Sequence, residues 1–307
     1  MSNDSIQTLA DTIVRLHGAA FAPEGSALPP QPVPPARRQD PAYLAALQAC
    51  STLGFIAIDA ETLAQAWQAQ TARRGRFEPT RWPDDPRDFG LEGADPALAF
   101  PDCPQALGLY GVLPDAHWVG RMARAGVPTV QLRFKSEDRD AIAREVRAAV
   151  AAVQGTDARL FINDHWREAI DAGAYGIHVG QEDLDALAGT DLDTIRASGL
   201  RLGVSTHGYA EMVRAHAVQP SYIALGAVFP TTLKKMATAP QGLARLDAYV
   251  RLMQRYPLVA IGGISADQFP AVRATGVGSV AVVRALVNAV DPETAARQLL
   301  AAMQAAG

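Results

Sequence analysis

Residues 128–164, PTVQLRFKSEDRDAIAREVRAAVAAVQGTDARLFIND, contain a strand, a helix and a second strand in succession. Apolar and polar residues alternate over 128–135, which predicts a β-strand because successive side chains of a strand point to opposite faces. A helical pattern follows at 138–153, and the apolar run at 159–164 is typical of a buried strand. Strands that alternate with helices pair in parallel, so this stretch predicts one unit of an α/β fold.

The same alternation continues from residue 105 to the end of the chain. Eight such units in roughly 200 residues predict a (β/α)₈ TIM barrel. An open, doubly wound sheet is the alternative, although no G-x-G-x-x-G motif follows the first strand. The strands are predicted at 106–113, 128–135, 159–164, 176–180, 201–206, 222–229, 258–263 and 279–286. The helices are predicted at 115–125, 138–153, 165–172, 184–198, 208–217, 242–256, 265–275 and 292–304.

The first 104 residues have a different composition. Seven prolines lie between Pro23 and Pro41, which predicts an extended linker at about 22–41. Residues 42–71 are predicted to form a helix, a short strand and a second helix. We therefore expect a mainly helical and irregular extension of unknown role at 1–104, followed by the barrel domain, which would carry the catalytic site, at 105–307. Apolar residues recur at helical spacing near the start, at Ile6, Leu9, Ala10, Ile13 and Val14.

The composition restricts the partners. A net charge of −4 gives no general attraction to nucleic acid. The two cysteines make no disulfide framework, so a cytoplasmic location is expected. The sequence shows neither a signal-peptide pattern nor an apolar run long enough to cross a membrane. We therefore expect no nucleic acid and no membrane as partners, while a homo-oligomer is compatible with the sequence.

Polar residues and glycines, together with Val283, lie at or just beyond the carboxyl ends of the predicted strands, where they would meet at one rim. In a (β/α)₈ barrel the active site lies at the carboxyl ends of the strands. Each residue alone has an ordinary interpretation, such as a solvated charge, a helix cap or a tight turn. Their coincidence at one rim favours a ligand site. The residues are Gln131, Arg133, Lys135, Asn163, Asp164, Asp183, Ser205, Thr231, Thr232, Lys234, Gly263, Val283 and Arg284.

These residue types suit a phosphorylated ligand and a divalent metal. Asp164 and Asp183 follow adjacent strands and offer the hard oxygen ligands that Mg²⁺ accepts. Gly263 and Arg284 follow strands seven and eight, where many barrels bind phosphate, and Gly263 precedes a helix N-terminus. Arg133, Lys135 and Lys234 add positive charge. The pattern therefore predicts two anionic centres, one of them with a metal.

Motifs in a fixed order carry a family resemblance over about residues 106–304. They are VQLRFK, ND, GIHVGQEDL, GVSTH, FPTTLKK, AIGGI and VAVVRAL. Each motif alone is weak, but the ordered set is specific. The chain resembles the thiamine phosphate synthase (thiamine-phosphate pyrophosphorylase) family.

The resemblance implies a Mg²⁺-dependent transferase on a (β/α)₈ barrel. Its two small phosphorylated substrates would be hydroxymethylpyrimidine diphosphate and a thiazole phosphate, either hydroxyethylthiazole phosphate or its carboxylated form. Diphosphate would leave first, and the thiazole nitrogen would capture the resulting pyrimidine-methyl cation, which gives thiamine monophosphate. The implied metal ligands are Asp164 and Asp183. The implied pyrimidine diphosphate site is Gln131, Arg133, Lys135, Asn163, Ser205 and Lys234. The implied thiazole phosphate site is Thr231, Thr232, Gly263, Val283 and Arg284.

Within that set, Arg133, Lys135, Lys234 and Ser205 are the expected catalytic residues. Two positions depart from the family pattern: Leu233 stands where the family usually has a second Thr, and Arg284 stands where it often has a small hydroxyl residue. Both departures concern the thiazole phosphate site.

Two alternatives to the synthase are open. One is a thiazole tautomerase-like enzyme, which does not need the diphosphate and metal residues. The other is a non-catalytic precursor-binding barrel, which does not need both carboxylates.

Overall fold

Eight parallel strands close into a barrel in chain order, with β8 paired to β1, as the computed structural model shows. The structure describes residues 3–22, 32–33, 39–93, 95–231 and 238–305. Helices follow the strands around the barrel, so the predicted (β/α)₈ fold is confirmed. The strands are β1 (Gly108–Leu113), β2 (Thr129–Leu132), β3 (Arg159–Asn163), β4 (Gly176–Val179), β5 (Arg201–Thr206), β6 (Tyr222–Leu225), β7 (Leu258–Ile261) and β8 (Ser279–Val282).

The described helices are α1 (Asn3–Phe21), α2 (Pro41–Thr52), α3 (Ala57–Arg74), α4 (Ala116–Arg124), α5 (Arg139–Val153), α6 (Trp166–Ala172), α7 (Gln181–Ala186), α8 (Gly189–Ala197), α9 (Tyr209–Ala217), α10 (Gly242–Met253), α11 (Phe269–Arg273), α12 (Arg284–Val287) and α13 (Pro292–Ala305). Short 3₁₀ turns lie at Pro86–Phe89 and Ala266–Gln268. None of the helices in these described ranges has the length and apolarity needed to span a membrane.

Several predicted elements were too long. The predicted strand 128–135 ends at Leu132, so the alternation of a strand does not extend to Lys135. The predicted strand 279–286 ends at Val282, and α12 begins at Arg284. The predicted helix 184–198 is wrong as one element, because α7 and α8 are separate helices. In each case the sequence pattern continues past the residue at which the element ends.

Large aromatic side chains fill the interior of the barrel. Tyr110, Phe161 and Tyr222 are almost fully buried and pack together, with the rings of Phe161 and Tyr222 in an edge-to-face arrangement at 5.1 Å. Gly203 on β5 makes room for this packing, because a Cβ there would lie 2.1 Å from Cζ of Tyr222. A glycine inside a strand often marks such a close approach. The aromatic layer closes the barrel below the carboxyl ends of the strands.

The chain divides into two compact units by its contacts. The smaller unit contains the described residues of Met1–Ala94 together with Gly208–Arg214, Thr238 and Ala239. The predicted short strand within 42–71 is wrong, because the residues between α2 and α3 form a turn. The larger unit contains the barrel and begins at Asp95. The core of the smaller unit is aromatic and includes His17, Phe21, Phe55, Trp67 and Trp82.

Candidate active site

A cavity of about 670 Å³ opens at the carboxyl ends of the barrel strands. Most of the residues that the sequence pattern singled out line it together. Lys135 is exposed and does not line the cavity. Thr232 and Lys234 lie outside the described residues, as does Leu233. The predicted residues that line the cavity are Gln131, Arg133, Asn163, Asp164, Asp183, Ser205, Thr231, Gly263, Val283 and Arg284.

The carboxyl ends of β2 and β3 present a fixed pair of amide side chains. Gln131 is buried, and its Nε2 donates to Oδ1 of Asn163 over 2.8 Å. The side-chain amide of Asn163 donates in turn to Oδ2 of Asp164. Arg133 follows the end of β2, and its backbone N–H donates to Leu113 over 2.8 Å, which extends the strand pairing to the cavity rim. One guanidinium and two amides therefore converge on this side of the cavity.

Two carboxylates face each other across the ends of β3 and β4. Asp164 has a left-handed backbone with φ 63°, a conformation that Asp and Asn tolerate better than most residues. Its N–H donates to the carbonyl of His178 over 3.0 Å, which fixes the turn. Burial and the neighbouring Asp183 carboxylate raise the pKa of Asp164 to about 6. Two acids this close favour a shared proton or a bound cation.

A hydrogen-bonded chain crosses the floor of the cavity from Ser205 to Gln131. Oγ of Ser205 lies 2.7 Å from Nε2 of His178, whose Nδ1 lies 2.7 Å from the Tyr222 hydroxyl. The hydroxyls of Tyr222 and Tyr110 are 2.7 Å apart, and Tyr110 donates to Oε1 of Gln131 over 3.1 Å. Burial raises the pKa of both tyrosines, so both hydroxyls keep their protons.

The direction of donation along these hydrogen bonds follows from the bond between Tyr110 and Gln131. Because Tyr110 gives its proton to Gln131, Tyr222 must donate to Tyr110. His178 then donates from Nδ1, and its Nε2 accepts from Ser205. Sequence reasoning assigned no role to His178, which lines the cavity. The signal that could have found it is its place inside β4, where an inward-facing imidazole needs polar partners.

Another wall of the cavity contains two glycines where the neighbouring loop leaves no room for a Cβ. Gly262 and Gly263 follow β7 with φ 106° and 67°. A Cβ at Gly263 would lie 2.5 Å from the carbonyl oxygen of Pro230, so the loop after β6 packs directly against it. Val283 is half-buried and Arg284 is exposed at the start of α12. His207, which lines the cavity after β5, is a second residue that the sequence reasoning left unassigned.

Comparisons with known proteins identify the family to which the chain belongs. Residues 112–286 match the family model described as thiamine monophosphate synthase. The thiamine-phosphate synthase of Neisseria meningitidis serogroup B is 56% identical over 196 residues, which are 64% of this chain and 94% of that protein. That of Salmonella agona is 54% identical over 202 residues, covering 66% of this chain and 94% of that protein.

A solved structure extends the comparison to three dimensions. Thiamine phosphate pyrophosphorylase from Pyrococcus furiosus superimposes with a TM-score of 0.59 and 27% identity, over 65% of this chain and 96% of that chain. The family match covers the strand ends that line the cavity from β1 to β8. The family predicted from the ordered motifs is thereby confirmed. The chain belongs to the thiamine monophosphate synthase family.

Proposed function

We propose that this chain joins hydroxymethylpyrimidine diphosphate to a thiazole phosphate, giving thiamine monophosphate and diphosphate. The family match and the relatives confirm the predicted enzyme class, a transferase of a pyrimidinylmethyl group. The observation that carries the detailed proposal is the single cavity in which amides, a guanidinium, two carboxylates and a hydroxyl meet. A tautomerase-like barrel or a binding barrel would not need this combination.

The pyrimidine diphosphate would lie against the ends of β2, β3 and β5. Gln131 and Asn163 hold each other at 2.8 Å, so their remaining donors and acceptors are oriented before a ligand arrives. Arg133 lines the same wall and would hold phosphate oxygens through its planar guanidinium. Ser205 is oriented by His178 and would contact the same substrate. Lys135 and Lys234 complete the proposed diphosphate site, as the family resemblance implies.

The two carboxylates fit a magnesium ion. Within the described residues, no cluster of three or more His, Cys, Asp or Glu side chains is arranged to hold a metal. Mg²⁺ is commonly bound by one or two carboxylates together with waters and substrate phosphates. Asp164 and Asp183 would hold it in this way. When bound, Mg²⁺ supplies positive charge that stabilises the leaving diphosphate. Arg133 would add charge to the same oxygens and so lower the barrier to bond cleavage.

The thiazole phosphate would lie against the ends of β6, β7 and β8. Gly263 lines this wall with a left-handed backbone, and backbone N–H groups at this turn would donate to the phosphate. Thr231 and Val283 line the wall, and Arg284 at the start of α12 would add a charged contact to the phosphate. Thr232 belongs to the same proposed set. The thiazole nitrogen would then face the pyrimidine side of a cavity that both substrates share.

The test is a product assay on the full chain. The purified protein is incubated with pyrimidine diphosphate, Mg²⁺ and either hydroxyethylthiazole phosphate or its carboxylated form, and thiamine monophosphate and diphosphate are both quantified. We expect thiamine monophosphate and diphosphate in equal amounts with at least one thiazole, and neither when a chelator removes Mg²⁺. With the carboxylated form, one CO2 is released for each thiamine monophosphate formed. Absence of product with either thiazole, from protein shown to be folded, would refute the proposal.

A further inference from the structure

The segment Gly208–Arg214 directly follows Ser205 and His207, yet its contacts belong to the smaller unit. Tyr209 is 1% exposed, and its hydroxyl accepts from Nε1 of Trp82 over 2.9 Å. The ring of Phe89 stacks on Tyr209 at 5.5 Å with the planes 11° apart. The side chains that fix the beginning of α9 thus come from the N-terminal region of the chain.

Asp59 makes the most specific of these contacts. It is 4% exposed, and its Oδ1 accepts from the backbone N–H of Ala210 over 2.9 Å. That N–H is one of the groups that a helix leaves without an intrahelical partner in its first turn. Gly208 stands just before α9 and has no side chain with which to cap the helix. Asp59, on α3, therefore caps α9 from a distant part of the sequence, and its negative charge suits the positive end of the helix.

The carboxylate of Asp59 occupies the space where a side chain at position 208 would begin. A Cβ at this position would lie 2.0 Å from Oδ2 of Asp59, so any other residue would displace the carboxylate. The N–H of Met212 donates to the carbonyl of Gly208 over 3.1 Å, which joins Gly208 to the first turn of the helix. The contact is therefore specific at both ends: an acid on α3 and a glycine before α9.

We propose that Asp59 is a positioning residue for the active site. It fixes the start of α9, and through the chain it fixes Ser205 and His207 at the end of β5, which line the cavity. The N-terminal region would then serve to hold the segment that leaves β5. This inference rests on the proposed role of Ser205 in binding the pyrimidine diphosphate.

The experiment compares Asp59→Ala with Asp40→Ala in the full chain. Asp40 also caps a helix within the smaller unit, accepting from the N–H of Tyr43 over 3.0 Å, but it lies outside the cap on α9. We expect Asp59→Ala to lower kcat/KM for pyrimidine diphosphate by about tenfold, the range that loss of one helix cap allows, with KM for thiazole phosphate unchanged. Asp59→Asn keeps the acceptor oxygen and should stay within about twofold of the original chain.

Amide hydrogen exchange gives a readout that does not depend on activity. Residues 209–214 should exchange faster in Asp59→Ala and not in Asp40→Ala, because only the first variant removes the partner of Ala210. If Asp59→Ala does not fold, Phe89→Leu, which removes the stacking on Tyr209, should give the same kinetic signature. Unchanged kinetics in Asp59→Ala, or an equal loss in Asp40→Ala, would overturn the inference. If the original chain forms no product, the proposed function fails, while the exchange of 209–214 still decides whether Asp59 holds the segment.

Discussion

Replacing Asp164 by Asn should stabilise the metal-free protein while abolishing its activity. Burial, and then the neighbouring Asp183 carboxylate, raise the pKa of Asp164 from 3.8 to about 6. Its ionised form is therefore unfavourable in the folded state when no cation is bound. Asn has nearly the same shape and tolerates the left-handed backbone at this position, so the substitution removes the charge without adding strain.

The gain in free energy of unfolding expected for Asp164→Asn follows from the pKa shift of Asp164. Each tenfold change in acidity is worth about 1.4 kcal/mol, so the rise sets an upper limit of about 3 kcal/mol on the cost of ionised Asp164. Because Asp164 is partly exposed, solvent screening lowers the expected gain to about 1–2 kcal/mol. For a domain of this size, that corresponds to an increase in Tm of about 2–6 °C.

The direction of the pKa shift of Asp164 determines how the stability of the protein depends on pH. The folded-state pKa is raised, so the folded chain keeps the proton to higher pH than the unfolded chain does. The cost of ionised Asp164 to the free energy of unfolding is absent below about pH 4, grows between about pH 4 and 6, and is fully present above that range. The stabilising effect of Asp164→Asn should therefore appear at pH 8 and vanish at pH 4.

The assay is thermal unfolding at pH 4 and pH 8, with a chelator or with Mg²⁺. At pH 8, Mg²⁺ should raise the Tm of the original chain and not that of Asp164→Asn, because binding to the folded state alone is stabilising. Glu182→Gln neutralises an exposed acid beside Asp183 and is the matched control. If Asp164→Asn gives the same Tm as the original chain at pH 8 without metal, or responds equally to Mg²⁺, the assigned carboxylate pair is wrong.

Three further outcomes are expected. Arg133→Ala should lower kcat/KM by about a hundredfold or more with little change in Tm, whereas Arg144→Ala, on the exposed face of α5, should leave steady-state kinetics intact. Gly263→Ala should raise KM for thiazole phosphate. It should also lower the free energy of unfolding more than Gly173→Ala does. The two glycines share φ near 67–69°, but only at Gly263 would the added Cβ lie 2.5 Å from a carbonyl oxygen. Arg87 donates to Asp85 and lowers the pKa of that carboxyl to about 2. The stability that ionised Asp85 contributes is therefore present above about pH 4 and is lost as pH falls towards 2. In urea unfolding, the free energy of unfolding of Asp85→Asn should lack this loss between pH 4 and pH 2.

The barrel could be predicted from periodicity because each strand and helix carries its own local pattern. The rim residues could be grouped because parallel strands bring their carboxyl ends together. Where strands end could not be predicted, since the apolar and polar alternation continues past Leu132 into the loop that carries Lys135. The neighbours of His178 depend on the register of several strands, which no local pattern contains. The cap of α9 by Asp59 joins residues that are far apart in the chain, so it too was invisible in the sequence.

The polar chain beneath the cavity connects the two sides of the proposed diphosphate site. Its donors run in one direction from Ser205 through His178, Tyr222 and Tyr110 to Gln131. Gln131 then donates to Asn163, which donates to Asp164, so the chain ends on a carboxylate that can only accept when ionised. A bound cation keeps that carboxylate ionised and thereby favours this single arrangement of donors. The chain passes through Tyr222, whose ring needs the space that Gly203 leaves. A glycine inside β5 therefore contributes to how the side chains above it are oriented toward the substrate.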